Sequence, residues 1–326
     1  MINQNAKEIN ALELLKFEDA LGYVMKESDK VLLKSPLVIR EYTKHLSNSH
    51  GKLIRANSVL ICAEDENGMV HPNAVKIAAA IEILHLATLV HDDIIDNADL
   101  RRGEITLQKK YGKKTAVICG DYLLCAALNL VSSISNKEEY LNINMPNYIG
   151  RVCIGELDQH INNFNLDLSV YKYLKIISGK TAALFEASFF SGAVFSGTSE
   201  AECKRYKQLG FNIGMIFQLT DDCIDFDATV DEAKKPVQSD FEQGVITLPL
   251  IHAFKSKIGL REKAADAGIS REEINEAVNV TGGLGFTKLT VNRYYKKSQK
   301  IIDELKISET KRNRLSMLLD KAARLA

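Results

Sequence analysis

Proline is scarce in this chain: Pro36, Pro72, Pro146, Pro236 and Pro249 are the five among 326 residues, and the intervals between them carry helical periodicity. Net charge is absent too, since Lys+Arg and Asp+Glu both total 42. Without a charge excess there is no global case for nucleic acid or an anionic surface, so any strong field has to be local. The six cysteines (Cys62, Cys119, Cys125, Cys153, Cys203 and Cys223) form no C-x-x-C pair and no disulfide framework. Cys119, Cys125 and Cys153 lie in apolar stretches, which predicts free thiols and a reducing cytoplasm. The first residues, Met-Ile-Asn-Gln-Asn, do not resemble a signal peptide. The longest apolar run, Ile77 to Val90, contains Glu82 and His85 and reads as too short to cross a bilayer. No alternating strands, sustained heptads, low-complexity tract or solenoid repeat is found.

What remains is helix. Pro72 suits a first helical turn, and NAVKIAAAIEILHLATLVHDDIIDNADLRR follows from Asn73, predicting one helix of about 28 residues. A second long helix is expected from about Ser199 to Phe226, ending before DATVDEAKKPVQSD. Others are expected over Ala6–Leu33, Asp121–Ser135, Tyr148–Phe164 and Val170–Phe195, with weaker amphipathic helices from 271 onward. No compositional shift marks a linker. The expectation is one all-α domain over 1–326, a single large helix bundle.

Two motifs carry the chemistry. Asp92, Asp93 and Asp96 in HDDIIDNAD, and Asp221, Asp222 and Asp225 in QLTDDCIDFD, both read D-D-x-x-D inside apolar helical runs. Residues i and i+4 share a helical face with i+1 beside them, so each run presents a carboxylate cluster, and His85 and Asp99 extend the first stripe. One such cluster alone would be an ordinary solvated surface. Two identical clusters near the ends of apolar helices call for a cation. At about 4 Å and an effective dielectric of ~20, each like-charge pair costs roughly 4 kcal/mol before relaxation. Mg²⁺ that completes its octahedron with phosphate oxygens fits such a donor set better than Ca²⁺ or Zn²⁺, and H-E-x-x-H and zinc-type spacings are absent.

A diphosphate also needs cations of the protein's own. Lys52 and Arg55 lie one turn apart in GKLIR, Arg101 and Arg102 follow the first cluster, Lys180 and Thr181 sit within an apolar helix, and Lys234 and Lys235 follow the second cluster. Singly, each has a bland reading as a solvated side chain, and Arg101–Arg102 could simply complement a helix dipole. Gly179-Lys180-Thr181 is not a P-loop: Leu174 stands where that motif needs Gly, and no strand precedes it.

In sequence order, GKLIR, LVHDDIIDNADLRRG, GDYLL, GELDQ, GKTAALFEAS, FQLTDDCIDF and the K-x-V-x-x-D…T-L-P-L stretch resemble the trans-isoprenyl diphosphate synthases, or polyprenyl synthetases, over roughly 48–255. The resemblance implies the isoprenoid-synthase bundle with a central cavity. It implies head-to-tail condensation of isopentenyl diphosphate with an allylic diphosphate, and three Mg²⁺ bound with the allylic diphosphate. By that resemblance Asp92, Asp93, Asp96, Asp221, Asp222 and Asp225 bind the metal. Arg101, Lys180, Thr181 and Lys235 contact the allylic diphosphate with Gln218 nearby, Lys52, Arg55, His85 and Arg102 hold isopentenyl diphosphate, and Gln159 lines the cavity. Leu84, Ala87 and Thr88, upstream of Asp92, set chain length. Small residues there imply a product longer than fifteen carbons, and farnesyl or geranylgeranyl diphosphate as primer. A homodimer is implied, with no nucleic-acid partner and with peripheral membrane contact for product release.

The chain departs from the family pattern at His50-Gly51-Lys52, at Arg55-Ala56, at Val245 where the family has a lysine, and at Gln238-Ser239 before Asp240. Three alternatives stay open: a catalytic subunit that needs a small partner, suggested by the heptaprenyl-type stretch DFEQGVITLP; a short-chain synthase of fifteen to twenty carbons; and a non-catalytic helical scaffold. A class I terpene cyclase is disfavoured because the second cluster is intact.

Overall fold

The computed structural model describes residues 13–47, 51–136, 147–227, 239–266 and 269–325. The chain groups into two compact units, one of Met1–Met145, Ser188–Lys204 and Ile307–Lys311, the other of Pro146–Ala187, Arg205–Lys306 and Arg312–Ala326.

In the first unit, β1 (Leu15–Lys16) leads into α1 (Phe17–Leu33), followed by α2 (Leu37–Leu46) and α3 (Ile54–Ala63). Leu15–Lys16 pairs with β2 (Met69–Val70), so the N-terminal helix starts at Phe17 rather than Ala6; residues 1–12 lie outside the described residues. α4 (Pro72–Ile95) opens with Pro72 in its first turn and the His71 ring accepting from the Asn73 amide at 3.1 Å. It is apolar nearly all round and packs against α1, α3 and α6.

α4 stops sooner than its composition implies. Asp96 caps it, Asn97 turns left-handed at φ 51, and the chain enters a hairpin of β3 (Leu100–Arg101) and β4 (Glu104–Ile105). Arg101 and Arg102 therefore sit on a hairpin and not on the end of a long helix, and Asp99 leaves the helical stripe to pair with Lys109 at 2.9 Å. Helix propensity alone hid this stop, because Asn and Asp adopt the left-handed region more readily than other side chains. α5 (Leu107–Tyr111) and α6 (Lys113–Ser132) complete this part. A cluster of Leu32, Ile83, Ala87, Val90, Cys119 and Leu123 forms its core. α4 and α6 are both long and apolar enough to cross a membrane by length and composition. A buried core helix passes the same test of length and composition, and more than half of the apolar stretch of α4 is buried within the protein.

In the second unit, α7 (Tyr148–Ile161) is capped by Asn147, whose side chain accepts from the Gly150 amide at 2.8 Å. α8 (Val170–Ile177) begins at Ser169, which accepts from the Lys172 amide, and passes through a π-helical turn at Ser178–Ala182 into α9 (Ala183–Phe195). α10 (Glu200–Asp227) carries the second aspartate cluster in its last two turns. Next come α11 (Ser239–Glu242), α12 (Leu248–Ser256), α13 (Leu260–Ala265), α14 (Arg271–Val280), α15 (Gly283–Glu304) and α16 (Glu309–Ala323). α9, α10 and α16 contribute residues to both units. Tyr173, Ile176, Met215, Leu219, Leu250 and Ala277 belong to this unit's core.

Candidate active site

In the first unit, Asp92 and Asp93 lie in the last turn of α4 and Asp96 at its cap. Asp93 is the buried member of the three, and Arg101 Nε donates to its Oδ1 at 2.6 Å. Burial raises the Asp93 pKa despite the guanidinium beside it. Asp92 is half-buried and Asp96 exposed.

The expected basic groups gather on one side of α4. Arg55, on the first turn of α3, is desolvated enough to bring its pKa down to about 10, with Glu82 opposing that shift and Arg102 adding to it. Even so, it remains a cation at neutral pH. His85 is held well below its usual pKa by burial and then by Arg55, Arg102 and Arg101, so it offers a neutral imidazole. Arg102 takes a left-handed backbone, φ 55, and its guanidinium lies against Gly51, where a β-carbon would stand 3.0 Å from it. Lys52 is exposed. His85, Arg101, Arg102, Asp93 and Glu82 line one cavity of about 80 Å³ together with apolar residues such as Leu32.

Glu82 is a participant the sequence reading passed over. It sits one turn before His85 and receives the Ala56 amide at 2.9 Å, with the Arg55 amide as a second donor. α3 has no side-chain cap of its own, its N-cap being Leu53 at φ 49, so Glu82 supplies one from α4. Burial raises the Glu82 pKa, and Arg55 and Arg102 act against that rise.

Of the chain-length positions, Ala87 is packed into the core while Leu84 and Thr88 are half-buried; none of the three lines the cavity at the basic set.

The second unit repeats the pattern. Asp222 is buried, and Asp221 and Asp225 are more open. Gln218 Nε2 donates to Asp222 Oδ1 at 2.7 Å, and the Tyr173 hydroxyl donates to Oδ2. Gln218 in turn accepts from Thr181 Oγ1 at 2.6 Å through Oε1. Thus two of the expected residues, Thr181 and Gln218, join the cluster through one hydrogen-bonded chain. Burial, the leading cause, with Asp221 and Asp225 adding to it, pushes the Asp222 pKa up to about 7 against the opposing hydrogen bonds. Asp221 Oδ1 receives Arg324 Nη2 at 2.9 Å. Lys180 pairs with Glu156 at 2.9 Å, and Gln159 Nε2 donates to Asn163 Oδ1 at 3.1 Å. Lys235 lies outside the described residues.

Among the described residues, no three carboxylate, imidazole or thiol groups converge into a preformed metal cage. The donor set still suits Mg²⁺, a hard cation that keeps waters and phosphate oxygens in its shell and takes one or two carboxylates from the protein. A carboxyl whose pKa is raised to about 7 by burial, with two neighbouring carboxylates adding to it, is one that a divalent cation would ionise.

Aspartate clusters of this build in an all-α chain define the isoprenyl transferase class. The match to the polyprenyl synthetase family model over residues 36–280 makes the chain a member of that family, whose enzymes transfer prenyl groups. It is 33% identical over 304 residues to heptaprenyl diphosphate synthase component 2 of Geobacillus stearothermophilus, covering 90% of this chain and 92% of that one. It is 31% identical to the octaprenyl diphosphate synthase of Escherichia coli, with 77% and 79% covered. Among solved structures, the heptaprenyl diphosphate synthase of Staphylococcus aureus superposes with a TM-score of 0.85 at 30% identity, over 96% of this chain and 99% of that one. These likenesses carry the expected all-α, isoprenoid-synthase fold.

Proposed function

We propose that this chain, acting over 1–326 as one catalytic domain, condenses isopentenyl diphosphate with an allylic diphosphate into a longer all-trans prenyl diphosphate. The observation that carries the reading is the shared build of the two clusters: the middle aspartate of each is buried and held by protein donors, Arg101 at Asp93, Tyr173 and Gln218 at Asp222. The flanking aspartates are left more open in both.

In this reading the six aspartates hold Mg²⁺, three ions with the allylic diphosphate, and the metal supplies neutralisation of the leaving diphosphate. Lys180, Arg101 and Lys235 would add donors to that diphosphate, with Thr181 in contact with it. Lys52, Arg55 and Arg102 hold the diphosphate of isopentenyl diphosphate by charge, and His85 by a neutral N–H. The Gln218 and Gln159 amide oxygens, the Thr181 hydroxyl or nearby carbonyls would supply the electron-rich surroundings of the allylic cation. Isopentenyl diphosphate attacks through its double bond and the resulting cation loses a proton to the departed diphosphate, so positioning and charge placement do the catalysis.

A long-chain product, primed by farnesyl or geranylgeranyl diphosphate, is favoured over a short one by the small Ala87 and Thr88 and by the names of the relatives. The word "component" in the Geobacillus relative's name favours a small partner subunit as the second reading. A homodimer accords with the apolar face of α6, where Ile118 and Leu128 are exposed. A reducing cytoplasm accords with six free cysteines, and an apolar product implies peripheral membrane contact at release.

Purified chain incubated with farnesyl diphosphate, isopentenyl diphosphate and Mg²⁺ should yield a longer prenyl diphosphate, identified by mass spectrometry. EDTA, Asp92→Asn or Asp221→Asn should each abolish it. An inactive chain that turns over only with an added small subunit supports the heteromeric reading, and no Mg²⁺-dependent binding of either diphosphate overturns the whole assignment.

A further inference from the structure

Tyr173 belongs to no motif and lies 49 positions before Asp222 in the sequence, yet the two side chains are hydrogen-bonded in the interior of the second unit. Its ring sits among Ile176, Ile177, Met215 and Leu219 and is 2% exposed. Phenylalanine would fill such a place equally well, so packing does not account for the hydroxyl. A phenol has one proton to give, and here it goes to Asp222 Oδ2.

An ionised carboxylate has about four acceptor sites. Gln218, one turn earlier on α10, takes one on Oδ1, and Tyr173, from α8, takes one on Oδ2. Two donors on different elements fix both the rotation and the tilt of the carboxyl group, which one donor could not.

Resting on the reading of Asp221, Asp222 and Asp225 as a divalent-metal cluster, we propose that Tyr173 is a positioning residue for it. Its hydroxyl, with the Gln218 amide, holds the Asp222 carboxyl in the orientation the cation needs. Tyr173 touches neither substrate nor reacting atoms in this role. Partners of this kind are worth 10–100-fold in metal affinity.

The test is Mn²⁺ binding to the full chain in the presence of inorganic pyrophosphate, followed by the electron paramagnetic resonance of free Mn²⁺. Tyr173→Phe should weaken the binding that Asp221→Asn also removes by about tenfold or more, and should leave the binding removed by Asp92→Asn unchanged. Replacing Tyr173 by 3-fluorotyrosine keeps the ring and strengthens the donor while leaving the phenol protonated at neutral pH, and should bind at least as tightly as wild type. Circular dichroism and thermal melts accompany both variants, and the fluorinated form decides the matter should Tyr173→Phe not fold. Equal Mn²⁺ binding by wild type and a folded Tyr173→Phe overturns the proposal, as does weakened binding by the fluorinated form. Wild type that binds no Mn²⁺ with pyrophosphate overturns the proposed function instead.

Discussion

Gly155 and Gly179 lie so close that a β-carbon on Gly155 would stand 2.1 Å from the Lys180 amide nitrogen and 2.9 Å from the Gly179 α-carbon. One glycine comes from α7 and the other from the π-helical turn that carries Lys180 and Thr181. Their contact sets how near those two side chains come to Glu156 and Gln218.

Gly155→Ala should therefore cost stability and function together. The clash is with backbone, which cannot swing aside as a side chain does, so a loss of about 3 kcal/mol is expected. Urea unfolding gives the stability, and steady-state kinetics should show the allylic substrate affected more than isopentenyl diphosphate. Unchanged unfolding in Gly155→Ala would contradict this packing.

The metal-free protein should lose stability as pH rises towards neutrality. The Asp222 pKa is raised from 3.8 to about 7 in the folded chain, so its contribution is complete below about pH 4 and is lost as pH passes 7. The full difference amounts to about 4 kcal/mol. Urea unfolding in EDTA at pH 4 and pH 8 captures most of it. Asp222→Asn should flatten that dependence, and Mg²⁺ with pyrophosphate should restore stability at pH 8.

Glu82→Ala should uncap α3 and loosen Arg55. A carboxylate accepting backbone amides is worth about 2 kcal/mol, and the melting temperature should fall accordingly. The KM for isopentenyl diphosphate should rise by about tenfold, the equivalent of 1.4 kcal/mol, with the allylic KM little changed. Equal rises in both would place Glu82 outside the basic set.

Ala87→Phe should shorten the product if the tail passes this part of α4, but the site carries a second cost. Ala87 is 2% exposed and belongs to the same core as Cys119 and Leu123, so the larger ring should destabilise the chain by about 1–3 kcal/mol. Thr88→Phe, at a half-buried position, should shorten the product with less loss of stability. Thermal melts and product chromatography separate the two effects.

These positions also show how far the sequence could be read. D-D-x-x-D predicts its own geometry, because a helix places i, i+1 and i+4 together whatever surrounds it. Nearly all the helices follow for the same local reason. The end of α4 did not, since it depends on a single left-handed residue, Asn97, within a run whose helical periodicity continues past it. Glu82 and Tyr173 could not be found either, because their partners Ala56 and Asp222 come from distant parts of the chain and no spacing rule links them. Glu82 alone left a trace, a carboxylate in an otherwise apolar stretch of α4.

The π-helical turn at Ser178–Ala182 has one further consequence. It accommodates one residue more than the surrounding α-helix would hold, so everything before it is turned by about 100° relative to an unbroken helix. Tyr173 lies on one side of that offset and Ala183–Phe195 on the other. Deleting a single residue from this turn would keep the chain helical and the composition nearly unaltered, yet swing the tyrosine away from its carboxylate, a lesion that no count of substituted residues would foretell.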